Sequence, residues 1–102
     1  PYLVLNGGNG ELTVDGNTVY GYQNIWNNLK VYIYMETDVT PEQSGVFRDG
    51  KWNREKRKAE GDDICVALSW SPALSSLNVR YGVSYISVEQ AKKNLKREIP
   101  GF

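Results

Sequence analysis

The segment that decides the fold is residues 81–102, which read YGVSYISVEQAKKNLKREIPGF. It begins with the alternating side chains of a β-strand and changes to helical spacing after Ser87. Ser87 is a favourable N-cap, and Gln90 three residues later predicts a reciprocal capping box that satisfies the first unpaired amides of a helix. Pro100 predicts the end of that helix.

The predicted helix has one apolar face and one basic face. Val88, Ala91 and Leu95 recur at i, i+3 and i+7, so they predict the face that packs on a sheet. The outward side chains are basic: Lys92, Lys93, Lys96 and Arg97. Because cations near the C-terminus favour the helix dipole, we interpret them as a solvated helix face rather than a binding patch.

Upstream of the helix, period-2 alternation predicts strands joined by turns. A hairpin over 11–15 and 18–23 follows from the alternation and the turn sequence Asp-Gly-Asn. Further strands are predicted at 29–37, 63–70 and 77–86. Short strands without intervening helical periodicity indicate a mainly β chain, an antiparallel β-sandwich with one C-terminal helix.

Two segments lack strand alternation. The sequence NGGNG at 6–10 predicts a flexible loop. The stretch 40–62 is rich in charged and turn residues, and it predicts an exposed connection that includes, at most, a loose hairpin around RDGKW at 48–52.

Composition limits the classes of function. The 102 residues predict a single domain, 1–102, and twelve basic residues balance twelve acidic ones, so nucleic-acid binding is not predicted. The apolar runs fall far short of the roughly 20 residues that cross a bilayer. The sequence has no histidine, which removes the Ser-His and Cys-His nucleophile systems and the usual zinc ligand. Cys65, the only cysteine, lies in a predicted strand and is expected to be buried.

Carboxylates remain the only candidate catalytic groups, and glycoside hydrolysis is the reaction that needs just two of them. Two groups of acids stand close together in the sequence: Glu36, Asp38 and Glu42, and then Asp62 and Asp63. Both placements are normal for turns and caps. We therefore assign no catalytic residue and no metal ligand.

Aromatic residues are abundant, with three Trp, seven Tyr and two Phe. Sugars stack on flat aromatic faces that have polar groups beside them. Trp26 and Trp52 fall in turn-like, polar surroundings and are the candidate carbohydrate-contact residues, whereas Trp70 ends a buried strand. The alternative for Trp26 and Trp52 is that they plug the ends of the sandwich.

The C-terminal segment also resembles a known family. Its pattern is V-R-x-G-x-S, then S-x-E-Q-A, then N-L, then E-x-P-G, and it is formed by Val79, Arg80, Gly82, Ser84, Ser87, Glu89, Gln90, Ala91, Asn94, Leu95, Glu98, Pro100 and Gly101. This pattern resembles the segment that closes the N-terminal β-sandwich domain of glycoside hydrolase family 92, the α-mannosidases. The strands at 29–37 and 62–70 look like the two that flank a variable loop in that family.

The resemblance implies a parent protein that is a calcium-dependent, exo-acting α-mannosidase working by inversion. In that family the β-sandwich is followed by a helical linker and an (α/α)6 barrel, and the acid, base and metal-binding residues lie mainly in the barrel. No such residue is carried onto this chain. The resemblance also implies mannose-containing glycans as partners and a secreted or periplasmic location.

Pro1 begins a strand-like segment without a preceding methionine, so we interpret the chain as the later part of the sandwich, excised from a larger multidomain protein. We expect this partial sandwich to have no turnover by itself. Its unpaired edges predict a dimer formed by edge strands. The alternatives are a carbohydrate-binding module and an interaction domain without a ligand.

Overall fold

The computed structural model describes residues 2–25, 29–48 and 51–101, and its strands form one antiparallel sheet covered by one helix. The elements are β1 (Tyr2–Asp15), β2 (Thr18–Asn24), β3 (Lys30–Thr37), β4 (Gln43–Arg48), β5 (Lys51–Asn53), β6 (Lys58–Ser69), β7 (Val79–Ser84) and α1 (Val88–Glu98). The strand order is β5-β4-β6-β1-β2-β3-β7. The predicted class, mainly antiparallel β with a C-terminal helix, is confirmed, and the described strands form a single sheet of seven strands.

Strand β1 lies at the centre of the sheet and contains the glycine-rich run that was predicted to be a loop. Its register with β6 shifts between Asn6 and Gly8 and again between Gly8 and Gly10. Gly8 has a φ of 56°, and a Cβ at Gly10 would lie 2.2 Å from the carbonyl oxygen of Tyr22. The loop prediction is wrong because these glycines serve a β-bulge and the close approach of β2, not a turn.

The charged stretch predicted to be an exposed connection contains β4, β5 and the beginning of β6. In the β4–β5 hairpin Phe47 pairs with Trp52, which confirms the loose hairpin around 48–52. In β6, Ala59 pairs with Leu12 of β1. The prediction of a connection is wrong because Val46 and Ala59, separated by charged residues, both reach the core.

The core lies on one side of the sheet, which we call the core face. The buried cluster there consists of Leu12, Val14, Val19, Met35, Val46, Ala59, Ile64, Val66, Leu68 and Trp70. The connection 70–78 between β6 and β7 packs Leu74 and Leu77 against this cluster. It is bonded to the connection 38–42 between β3 and β4, since Trp70 Nε1 donates to the carbonyl oxygen of Val39 at 2.8 Å. We call these two segments the crossing connections.

Helix α1 packs on β7 and β3 on the opposite side of the sheet. The Ser87 Oγ accepts a hydrogen bond from the Gln90 amide at 3.0 Å, which confirms the predicted N-cap. The Gln90 side chain donates instead to Asn94 Oδ1 at 2.9 Å, so the reciprocal half of the capping box is not formed. Ala91 and Leu95 are buried, as the helical spacing predicted.

Strand β7 buries its polar alternate residues and exposes its apolar ones. Arg80 and Ser84 are buried beneath the helix, and a Cβ at Gly82 would lie 2.5 Å from the carbonyl oxygen of Ala91. The exposed apolar residues of the other side are Val79, Tyr81 and Val83. The outer strands of the described sheet are β5 and β7, and dimerisation through a strand edge stays a prediction.

Cys65 is buried, as predicted. Among the described residues no helix is both long enough and apolar enough to cross a membrane.

Candidate functional site

A groove lies over strands β1, β6, β4 and β5, on the side of the sheet opposite the core. Tyr2 and Val4 of β1 and Ala67 of β6 line it, and Trp52 of β5 stands beside them. The groove encloses about 370 Å³. The alternation of β1 explains this placement, because Leu3 and Leu5 point to the core while their neighbours point to the groove. We call this site the aromatic groove.

The Trp52 ring packs against Phe47, and about half of the side chain remains exposed to solvent. Its ring lies 5.2 Å from the ring of Phe47, measured between centroids, with the planes tilted by 56°. The cross-strand pairing of these two residues fixes that contact. Because 52% of Trp52 remains exposed, one part of the indole is available to a ligand.

Polar atoms surround this apolar surface. Gln43, Ser44 and Ser69 line the groove, and Arg54 stands at its margin. An exposed aromatic ring with amide and hydroxyl groups beside it suits a sugar, whose C–H face stacks while its hydroxyls form hydrogen bonds. Trp52 lies in strand β5 and not in the predicted turn, and its contact with a carbohydrate stays a prediction.

The other two tryptophans differ from Trp52. Trp70 is buried, with 4% of its surface exposed, and it belongs to the core as predicted. Trp26, the second candidate carbohydrate-contact residue, lies outside the described residues. Of the tryptophans in the described ranges, Trp52 is the one at the surface.

Tyrosines on the side of the sheet that carries the helix form a less open aromatic surface. The rings of Tyr22 and Tyr32 lie 6.0 Å apart, and Lys30 Nζ stands 4.4 Å from the centroid of Tyr22. These rings are already engaged by each other and by a cation, and each is only partly exposed. Trp52 is the better stacking platform.

Arg54 links the aromatic groove to a second recess, which we call the basic cleft. Gly16, residues 40–44, Arg54 and Arg57 line the cleft. Glu42, one of the acids singled out in the sequence, is part of this lining. The cleft thus contains two guanidinium groups and one carboxylate.

Glu36 lies in a buried ion cluster. Its Oε2 accepts from Arg80 Nη2 at 3.1 Å, and its Oε1 accepts from Lys96 Nζ at 2.6 Å. Burial alone raises the pKa of Glu36, but the hydrogen bonds from Lys96 and Arg80 outweigh it and hold the pKa below the ordinary value of 4.5. Arg80 also donates to the carbonyl oxygen of Ile99, beyond the end of the helix. The cluster connects β3, β7 and α1, and its geometry is that of a contact that stabilises the fold.

The remaining candidate acids do not converge. Asp38 accepts from the backbone amide of Asn78 at 3.0 Å and from its side-chain Nδ2 at 2.8 Å, and these bonds lower the pKa of Asp38. Asp62 and Asp63 lie in β6, where Asp63 has a φ of 55°. In the described ranges no three Asp, Glu, Cys or His side chains group together as metal ligands would.

Sequence reasoning missed Tyr2 and Arg54 as members of the site. Tyr2 is 50 residues from Trp52 in the chain, and only the pairing of β1 with β6, and of β6 with β4, brings the two together. The segment after Pro1 was predicted to be strand-like, but nothing in its sequence indicates which strand would lie beside it.

The fold and this groove define a class: a mainly β domain with a helix on one half of a sheet face and an aromatic groove on the other half. No protein-family model matches the sequence, and no curated protein matches it. Among solved structures, the chain is similar to a family GH92 inverting mannosidase from Bacteroides thetaiotaomicron, with a TM-score of 0.87 and 24% sequence identity. The match covers 99% of this chain and 15% of that chain.

This likeness shows the fold, and it concerns a small part of the mannosidase. The family that the segment 79–101 resembles in sequence is also the family of the similar structure.

Proposed function

We propose that this chain is a non-catalytic β-domain of a larger, exo-acting α-mannosidase that hydrolyses α-mannosides. The observation that carries the proposal is the fold likeness, which extends over 99% of the chain and matches 15% of an inverting mannosidase. A segment of that proportion is the size of one domain in a multidomain enzyme.

The contacts of the acidic residues support a role without turnover. Glu36 is held by Arg80 and Lys96, and Asp38 caps the backbone at Asn78, so each has a structural partner. A glycosidase needs one carboxyl group placed to protonate the leaving oxygen and another facing a water or the sugar. On this proposal both carboxyl groups belong to the (α/α)6 barrel of the parent chain.

On the same proposal, the calcium site of the parent enzyme also lies in the barrel domain. Calcium takes six to eight oxygen ligands, several of them carboxylates. The acids of the described residues do not provide such a group. Within the described ranges 2–25, 29–48 and 51–101, the acidic residues therefore do not fit a calcium site.

Exposed apolar residues support a partner domain within the parent. Val79, Tyr81 and Val83 are exposed by 41%, 60% and 47% on the side of β7 that faces away from the helix. A patch of this kind is typical of a surface that packs against another domain. A secreted or periplasmic location, where mannose-containing glycans are met, completes the proposal.

The experiment is mannose release from an aryl α-mannoside with calcium present, measured for the 102-residue chain and for the longer parent protein. We expect the chain to be inert and the parent to be active. Mannose release by the chain alone would overturn the assignment of catalysis to another domain, and Glu42 would then be the first acid to replace.

A second candidate function is carbohydrate binding without catalysis, which the open face of Trp52 in the aromatic groove favours. Titration with methyl α-mannoside, followed by two-dimensional NMR of the tryptophan indole N–H groups, should shift one signal that Trp52→Phe removes. Tyr81→Ala is the matched control, because it alters an exposed aromatic residue on the other side of the sheet. Absence of any shift at millimolar sugar would exclude this function.

A further inference from the structure

The aromatic groove and the basic cleft are two parts of one continuous surface. Gln43, Ser44 and Arg54 line both of them. The two recesses are therefore adjacent, and Arg57 lines only the second of them. The two recesses differ in chemistry, since the first is mainly apolar and the second is charged.

The turn that carries Arg54 is fixed to the sheet. Asn53 Oδ1 accepts hydrogen bonds from the amides of Glu55 and Lys56 at 2.9 and 3.2 Å, and the carbonyl oxygen of Arg57 accepts from the Val14 amide at 2.7 Å. The backbone on both sides of Arg54 is thus held by defined contacts. A guanidinium on a fixed backbone loses less entropy when it binds a ligand.

The charges of this segment are strongly unbalanced. Residues 51–58 contain five basic side chains and one acidic side chain: Lys51, Arg54, Lys56, Arg57, Lys58 and Glu55. Lys58 is paired with Glu11 at 3.0 Å. In the part of the chain that the structure describes, no carboxylate lies within ion-pair distance of Arg54 or Arg57. Glu42 also lines the basic cleft, so its described lining carries two positive charges and one negative charge.

We propose that the aromatic groove and the basic cleft together bind an acidic saccharide. The sugar ring stacks on Trp52, and a carboxylate, phosphate or sulfate group on that sugar or the next one pairs with Arg54 and Arg57. Guanidinium groups suit this task because their planar N–H groups match the oxygens of such anions in pairs. The inference rests on the second proposed function, carbohydrate contact at Trp52, and it names the ligand class.

The experiment compares four probes on the 102-residue chain by NMR titration at low salt: methyl α-mannoside, glucuronic acid, mannose 6-phosphate and inorganic phosphate. We expect the two acidic sugars to bind about tenfold more tightly than the neutral one, because a charge-assisted hydrogen bond contributes enough free energy for a change in affinity of about that size. Arg54→Gln should remove that preference, so that the acidic sugars bind no more tightly than methyl α-mannoside. Lys93→Gln on the outer face of α1 makes the same change of charge away from the site and should keep the preference.

The outcomes separate the proposals. Equal affinity for neutral and acidic sugars would overturn the acidic-saccharide inference while leaving carbohydrate contact in place. Inorganic phosphate binding as tightly as mannose 6-phosphate, and unaffected by Trp52→Ala, would overturn it in favour of a simple anion site. Binding of no probe would overturn both carbohydrate proposals, whereas the proposal of a mannosidase β-domain is decided separately by mannose release.

Discussion

Replacement of Glu36 by alanine should be among the most damaging single changes in this chain. The Glu36 side chain is 11% exposed, and it binds Arg80, which is 8% exposed, at 3.1 Å. Glu36→Ala would leave the buried guanidinium without its carboxylate partner. The helix would lose its link to β3 as well, because Lys96 binds the other oxygen of the same carboxylate.

The magnitude follows from the burial of the two partners. Removal of one partner from a buried ion pair costs about 3–5 kcal/mol, whereas a pair with a well-exposed member contributes about 0–1 kcal/mol. Lys96 is 45% exposed, so nearly all of the loss comes from Arg80. Because Arg80 keeps its bond to the Ile99 carbonyl, we expect the lower end of the range, about 3 kcal/mol. For a domain of this size that corresponds to a Tm lower by about 12–24 °C.

The assay is urea unfolding followed by far-ultraviolet circular dichroism, with the free energy of unfolding extrapolated to water. Glu60→Ala is the control, since Glu60 is 64% exposed and stands 4.0 Å from Lys58. It should change the free energy of unfolding by less than about 0.5 kcal/mol. The paired change Glu36→Met with Arg80→Leu should recover most of the lost stability, because no buried charge is left unpaired. If Glu36→Ala costs no more than Glu60→Ala, the reasoning about the buried cluster is refuted.

Three further predictions concern the helix and its contacts. Ser87→Ala should lower the free energy of unfolding by about 1 kcal/mol through the lost N-cap, measured by the same unfolding assay, and an unchanged midpoint would contradict the cap. Gly82→Ala should cost about 1–3 kcal/mol or more, because the added Cβ would meet the helix backbone at 2.5 Å, whereas Gly101→Ala, with open space around it, should be neutral. The pKa of Glu36 is lowered in the folded state, so its stabilisation is present above pH 4.5 and is lost as the pH falls through the folded pKa. The difference in Tm between the unchanged chain and Glu36→Gln should therefore shrink below pH 4.5, and a constant difference down to pH 2.5 would argue against the ion cluster.

Local patterns in the sequence were sufficient to predict the helix and the first hairpin. The cap at Ser87 depends on a contact three residues away, and the pairing of Val14 with Val19 needs only the short turn between them. Such contacts are set by neighbouring residues. They can be predicted without knowledge of the rest of the chain.

Features that depend on distant residues were not predictable. The burial of Arg80 looks improbable for a charged residue until Glu36, 44 residues earlier in the chain, is placed opposite it. A glycine-rich sequence such as residues 7–10 is compatible with either a loop or a β-bulge. Here the pairing with strand β6 makes it a bulge. The aromatic groove depends on four strands, β1, β4, β5 and β6, so Trp52 could be named as a candidate while the residues around it could not.

The position of β1 in the sheet has a consequence for how the chain folds. One edge of β1 pairs with β2 across a short turn, but its other edge pairs with β6, so that Leu3 lies opposite Leu68. During synthesis from the N-terminus, that second edge stays open until more than half of the chain has been made. Closure of so long a loop precedes any gain from the β1–β6 pairing, and folding should be slow for a domain of this length. Until β6 has been made, the open edge of β1 can therefore pair with a strand of another molecule. Rapid synthesis at high protein concentration should for this reason favour aggregation over formation of the native sheet.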